Sequence, residues 1–195
     1  MPQLSKIQRA IKFAVKTHEV YQKQKRKGKD VSYIVHPLAV GILLARIGAN
    51  DDTVCAGVLH DTIEDSVPEK KVTFEMLEER FGKAVAQIVL DVTETDKSLP
   101  WEERKKQAAR HVETFSHDSL LVKSADVINN MTEVLDDFAR YGDEVFLRFN
   151  ASKENNLESK LKLIAAILKR WPENPFASDL KRLAELIEKE ISVKE

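Results

Sequence analysis

The feature that most constrains this chain is the spacing of its apolar residues. They recur every three or four positions through almost its whole length and nowhere alternate as a half-buried strand requires. Residues 4–21 carry Ile7, Ile11, Ala14, Val15 and His18 on one helical face with basic residues opposite. Pro37, just after His36, suits the first turn of a second helix through HPLAVGILLARIG, which Gly48 and Asn50 close. Asp51 or Asp52 can cap a third helix, DDTVCAGVLHDTIED, before Pro68 interrupts. Thr73 opens TFEMLEERFG, KAVAQIVLDVTE follows, and Pro100 with Trp101 begins WEERKKQAARHVETF. Ser119 or Asp118 caps SLLVKSADVINNMTEVLDDFARY, and two further helices are expected at 157–170 and 178–191. Only six Gly and six Pro punctuate 195 residues, which favours long helices over a turn-rich β architecture. The expectation is an all-α, compact multi-helix fold, a single domain over 1–195 with roughly eight to ten helices.

Charge and cysteine content narrow the function classes. With 43% hydrophobic and 32% charged residues, the chain reads as globular and not as disordered. A formal net charge of -1 offers no global footprint for nucleic acid. The single Cys55, set among Val54, Ala56 and Val58, excludes an internal disulfide framework and reads as a small buried hydrophobe. No 18-residue apolar span occurs, and MPQLSKIQRA lacks a signal peptide's apolar core, so no membrane partner and a cytoplasmic setting are expected.

The chemistry concentrates in GVLHDTIED, residues 57–65. His60 and Asp61 are adjacent, and Glu64 and Asp65 lie four residues after each, so on a helix all four converge on one cleft. Carboxylates near a helix C-terminus oppose its dipole, a penalty that a bound cation reverses. A solvated helix end with a capping histidine is the plain alternative. His36 opens a strongly apolar helix, and Asp126 stands in LLVKSADVIN, where a carboxylate is costly to bury unless paired or metal-bound. Lys123 is one possible partner for it. Together His36, His60, Asp61 and Asp126 make a mixed nitrogen and oxygen set suited to Mn, Fe or Zn.

The order H…HD…D resembles the HD-domain metal-dependent phosphohydrolases, and within them the hydrolase domain of the RelA/SpoT alarmone enzymes and the animal-type small alarmone hydrolases. The segments that carry the resemblance are YIVHPLAV (33–40), VLHDTIED (58–65), FGKAVAQIVLDVTETDKSLPWEERK (81–105) and LVKSADVINNM (121–131), and it covers about residues 5–170. It implies an HD-domain fold with His36, His60, Asp61 and Asp126 as ligands of Mn2+. It further implies Glu64 and Asp65 as the pair that positions or activates the attacking water. Lys25, Arg26, Lys97, Lys123, Asn130 and Arg148 match positions that bind the nucleotide and its phosphates. The implied reaction is hydrolysis of guanosine 3′,5′-bis(diphosphate), or its triphosphate relative, at the 3′-pyrophosphate, part of the stringent response, and the implied partner is this small nucleotide.

The run KQKRKGKD places five basic residues at positions 23–29, where they can serve an anionic substrate or form a solvated loop. Four positions depart from the family pattern: Ser32 for proline, Val127 for a basic residue, Thr132 for arginine, and Ser152 near an expected tyrosine. They leave open an HD phosphohydrolase acting on another phosphorylated nucleotide. A non-catalytic nucleotide-binding module is a further reading, against which the intact Glu64 and Asp65 argue.

Overall fold

The computed structural model describes residues 4–94 and 98–192. They form ten α-helices, and among the described residues no strand occurs beyond one isolated bridge between Lys25 and Ser32. The helices are α1 (Lys6–Val15), α2 (Val35–Arg46), α3 (Asp51–Leu59), α4 (Thr62–Asp65), α5 (Phe74–Phe81), α6 (Lys83–Val92), α7 (Trp101–His111), α8 (His117–Tyr141), α9 (Lys153–Arg170) and α10 (Ala177–Ser192). The all-α expectation and the expected helix count are met.

At the centre lies α3, whose residues Thr53 to Leu59 are all buried, as expected of a helix that is apolar on every side. It packs among α1, α2, α6 and α8. Two glycines bring α2 and α3 unusually close. A Cβ on Gly57 would lie 2.3 Å from Leu44 Cδ1, and one on Gly41 would lie 2.6 Å from Val58 Cγ2. An alanine at either position would force a shift at the contact between the two helices that carry His36 and His60. The helices α9 and α10 cover the back of α8. Leu157, Ile164, Ile167, Leu180 and Ile187 belong to the common core, and Asn174 donates to Ser124 Oγ at 3.0 Å. Cys55 is fully buried, and burial pushes its thiol up to about 11.

Several helix boundaries differ from those read in the sequence, each for a local reason. The first helix does not run regularly to residue 21: α-helix gives way at Lys16 to a π-helical turn, Lys16–Tyr21, which buries Thr17 and His18. Gly28 lies beyond the end of that helix and sits in a turn at φ +73, where a Cβ would come 2.9 Å from Arg148 Cδ. The cap of α3 is Asn50, which accepts from Thr53 N at 2.9 Å, while Asp51 and Asp52 occupy the first turn and favour the dipole from there. The cap of α8 is Ser116, accepting from Ser119 N at 3.1 Å; Ser119 itself donates to Asp91 Oδ2 at 2.6 Å. The run from Asp51 to Asp65 is two helices, because the chain bends at His60 and Asp61. No described helix is long and apolar enough to cross a membrane.

Candidate metal centre and adjoining cavity

The bend after α3 brings together what a straight helix would spread along one face. His36, in the first turn of α2, and His60, at the end of α3, are both buried, with their Nε2 atoms 3.2 Å apart. Each ring is oriented from behind: His36 Nδ1 lies 2.6 Å from Asn129 Oδ1, and His60 Nδ1 donates to Gly57 O at 2.7 Å. Both Nε2 lone pairs therefore point at the same space, the arrangement expected of metal-ligating imidazoles. Asp126 of α8 contributes Oδ1 at 3.4 Å from His36 Nε2 and 3.9 Å from His60 Nε2. Asp61 contributes Oδ2 at 3.0 Å from His60 Nε2 and 3.6 Å from His36 Nε2. One donor atom each from His36, His60 and Asp126 falls within 4.8 Å of the others. The structure thus brings all four expected ligands together.

The electrostatics fit a cation. Burial works against charge on His60, yet Asp61 and Asp126 outweigh it and raise the ring to about 9. Burial likewise opposes ionisation of the two carboxyls. The His60 imidazole beside Asp61, and the Lys123 ammonium beside Asp126, hold both well below the usual carboxylate range. Two Nε2 atoms turned to one space and two ionised carboxylates are a donor set in which a divalent ion would take the place of the proton that His60 otherwise holds.

Glu64 and Asp65 sit on α4, one turn beyond the metal cluster. Glu64 Oε2 accepts from Glu94 N at 3.3 Å, and Asp65 Oδ2 accepts from Gln24 Nε2 at 2.8 Å. Behind Gln24 stands His18, whose Nδ1 lies 2.8 Å from Gln24 Oε1. Since Gln24 gives its amide to Asp65, its oxygen must accept from His18 Nδ1–H. Burial lowers that ring's pKa, and its Nε2 has no partner among the described residues. Tyr33 donates its hydroxyl to Asp61 Oδ2; burial first, then Asp61 and Asp65, push that hydroxyl's pKa up.

Next to the cluster opens a cavity of about 480 Å³. Gln24, Tyr33 and Asn130 join the two: each lines the cavity and donates to one acid, Asn130 to Asp126 Oδ1 at 2.6 Å. Arg26 lines it too, donating to Asn130 Oδ1 at 2.8 Å and pairing with Glu133 at 2.8 Å. Arg148 lines the same wall and pairs with Asp137 at 2.8 Å. Lys25 borders the cavity but points its ammonium at Asp30 in solvent. Lys123 does not line it; it pairs with Asp126 at 3.0 Å and faces a smaller space of about 110 Å³ beside Glu94. Lys97 lies outside the described residues.

The sequence reading overlooked Tyr33, Gln24 and His18, although Tyr33 stands one helical turn before His36 and His18 had been noted on an apolar face. It also overlooked Lys105 and Lys160, which line the cavity from α7 and α9. Lys160 carried a signal, being a lysine on the stripe of Leu157, Leu161 and Ile164. None of the four departures falls on one of the four metal-cluster residues. Val127 is buried in the core, Thr132 is exposed, Ser32 donates to Glu19, and Ser152 caps α9 by accepting from Asn155 N.

An all-α fold that converges His36, His60, Asp61 and Asp126 beside a cation-lined cavity defines the class, and the comparisons agree. The chain belongs to the HD domain family, whose model matches residues 10–156. It is 39% identical over 126 residues to the Danio rerio guanosine-3′,5′-bis(diphosphate) 3′-pyrophosphohydrolase MESH1, a match covering 64% of this chain and 66% of that one. It is 36% identical over 127 residues to the guanosine-3′,5′-bis(diphosphate) 3′-pyrophosphohydrolase of Aquifex aeolicus, covering 64% of this chain and only 17% of that much longer protein. Its fold matches the solved structure of a metazoan ortholog of SpoT described as hydrolysing ppGpp. That match has a TM-score of 0.73 at 22% identity and covers 99% of both chains. A second structure, from Listeria monocytogenes, matches with a TM-score of 0.69 at 30% identity, over 79% of this chain and 99% of that one.

Proposed function

We propose that this chain is a Mn2+-dependent hydrolase of guanosine 3′,5′-bis(diphosphate) and its triphosphate relative, acting at the 3′-pyrophosphate as a single domain over 1–195 in the cytoplasm. The observation that carries the reading is one continuous site. The donor atoms of His36, His60 and Asp126 lie within 4.8 Å of one another, and the residues that orient their acids also line a cation-bearing cavity of about 480 Å³. The resemblance and the named relatives supply the substrate.

In the reaction, a water oxygen bonds to the phosphorus nearest the 3′ oxygen and the bond between those two atoms breaks. A proton passes to the 3′ oxygen, leaving GDP or GTP and pyrophosphate. A divalent ion held by His36, His60, Asp61 and Asp126 supplies Lewis-acid stabilisation and a more acidic water. The protein's own share is positioning and charge. Glu64 or Asp65 takes the water's proton, and Gln24, itself held by His18, keeps Asp65 in place. Arg26 and Arg148 exchange their contacts with Glu133 and Asp137 for substrate phosphates, and Asn130 steadies Asp126 at the boundary. Incubation with Mn2+ and guanosine 3′,5′-bis(diphosphate), followed by chromatography of the products, tests this. GDP and pyrophosphate in equal amounts are expected. Bound but uncleaved nucleotide would show a binding module instead.

A further inference from the structure

Lys160 differs from the other cations of the cavity. Arg26 is paired with Glu133, Arg148 with Asp137, Lys25 with Asp30 and Lys105 with Glu94, and Lys27 reaches Asn150 Oδ1. Lys160 has no hydrogen bond or ion pair among the described residues, yet it is carried on the inward stripe of α9 and lines the cavity. Burial lowers its ammonium, and nearby Lys105 and Lys123 lower it further, to about 8. The carboxylates near enough to oppose this are Asp126 and Glu94. Both are already engaged: Asp126 by Lys123 and Asn130, Glu94 by Lys105 and by Arg104 at 3.1 Å. A lysine costs several rotamers to order, and holding it unpaired beside two others is unfavourable without a counter-charge. An anion bound there would supply that charge.

The neighbours say which anion. Lys105, which lines the same cavity as Lys160, pairs with Glu94; the Glu94 backbone N donates to Glu64, and Glu94 borders one space with Lys123, which is bonded to Asp126, so the wall that carries Lys105 and Lys160 is the metal end of the cavity. Arg148, Lys27 and Phe149 instead gather beside the basic loop. We propose that Lys160, together with Lys105, is the subsite for the departing diphosphate of the substrate, holding the phosphoryl group beyond the one attacked. Neither residue belongs to the ligand and acid set above. Trp101, which also lines the cavity, walls this end from α7. The proposal rests on the reading that a diphosphate is cleaved here.

Its test is calorimetric titration of the Mn2+-loaded chain with inorganic pyrophosphate and, separately, with GDP, at fixed free Mn2+. Wild type is compared with Lys160→Met, which keeps the apolar stem, and with Lys160→Arg. Circular dichroism checks that each is folded. Losing one charge-assisted contact should weaken pyrophosphate about tenfold or more in Lys160→Met, with GDP unchanged and Lys160→Arg restoring much of the affinity. Pyrophosphate affinity unchanged in folded Lys160→Met, or a loss confined to GDP, would overturn the subsite. So would a wild-type chain that binds no pyrophosphate. Binding does not depend on turnover. A chain that binds pyrophosphate through Lys160 but leaves guanosine 3′,5′-bis(diphosphate) intact would refute the function above and keep the subsite.

Discussion

The metal cluster and the far wall of the cavity are built by different means. The cluster hangs on α2, α3 and α8, whose packing permits little adjustment: Gly41 and Gly57 set the spacing, and hydrogen bonds to Asn129 Oδ1 and Gly57 O fix both imidazoles. The far wall is a lattice of ion pairs, Arg26 and Lys29 on Glu133, and Lys29 and Arg148 on Asp137. These contacts tie the cations to carboxylates and not to a fixed apolar seat, so incoming phosphates can take the carboxylates' place. One region is preorganised for a fixed ion. The other keeps its cations in place until an anion arrives.

The comparison breaks most sharply at the cluster. Asp126→Ala should abolish tight metal binding and lower turnover on the order of 10³-fold or more, checked by elemental analysis and initial rates. Glu64→Gln combined with Asp65→Asn should lower kcat on the order of 10²-fold while leaving bound metal unchanged, which separates proton transfer from ion binding. Unchanged turnover would remove both residues from the reaction. Asn129→Ala, which frees only the back of His36, should weaken metal affinity by about 10–100-fold in a competition titration. At the far wall, Arg148→Met should leave metal affinity alone and raise KM about tenfold with kcat nearly constant. A variant there that lost metal would erase the distinction.

The smallest effect concerns acid stability. Burial opposes charge on Asp137, but Lys29 and Arg148 outweigh it and hold the carboxyl below its ordinary value. A depressed folded value gives a contribution that is whole above the unfolded carboxylate value, about pH 4, and is lost as pH falls through the folded one. Asp137→Asn should therefore flatten the acid limb of a urea-midpoint profile, by about 1 kcal/mol or less.

This contrast also explains what could be read in the sequence. His36 and Asp126 announce themselves because polar groups on apolar helices are conspicuous, and His60 with Asp61 because acids crowd a helix end. The bend that gathers them was not visible: Asp51 to Asp65 has continuous helical periodicity, and only tertiary packing ends α3 at Leu59. The caps are Asn50 and Ser116, where the sequence points to Asp51 or Asp52 and to Ser119 or Asp118, because all of these are equally good candidates locally and contacts such as Ser119 with Asp91 decide. The far wall was legible only through the family likeness. Arg26 meets Asn130 and Glu133 across more than a hundred residues, and no local pattern records that. Lys160 lies outside the four segments that carry the likeness.

The most direct test of one site built from these two regions measures bound metal and turnover on the same sample. The chain, loaded stepwise with Mn2+, is assayed for pyrophosphate release from guanosine 3′,5′-bis(diphosphate). The prediction is one ion per chain, turnover rising in proportion to occupancy, and its loss on chelation. Turnover that survives removal of the ion, or full occupancy with no pyrophosphate released, would contradict the account.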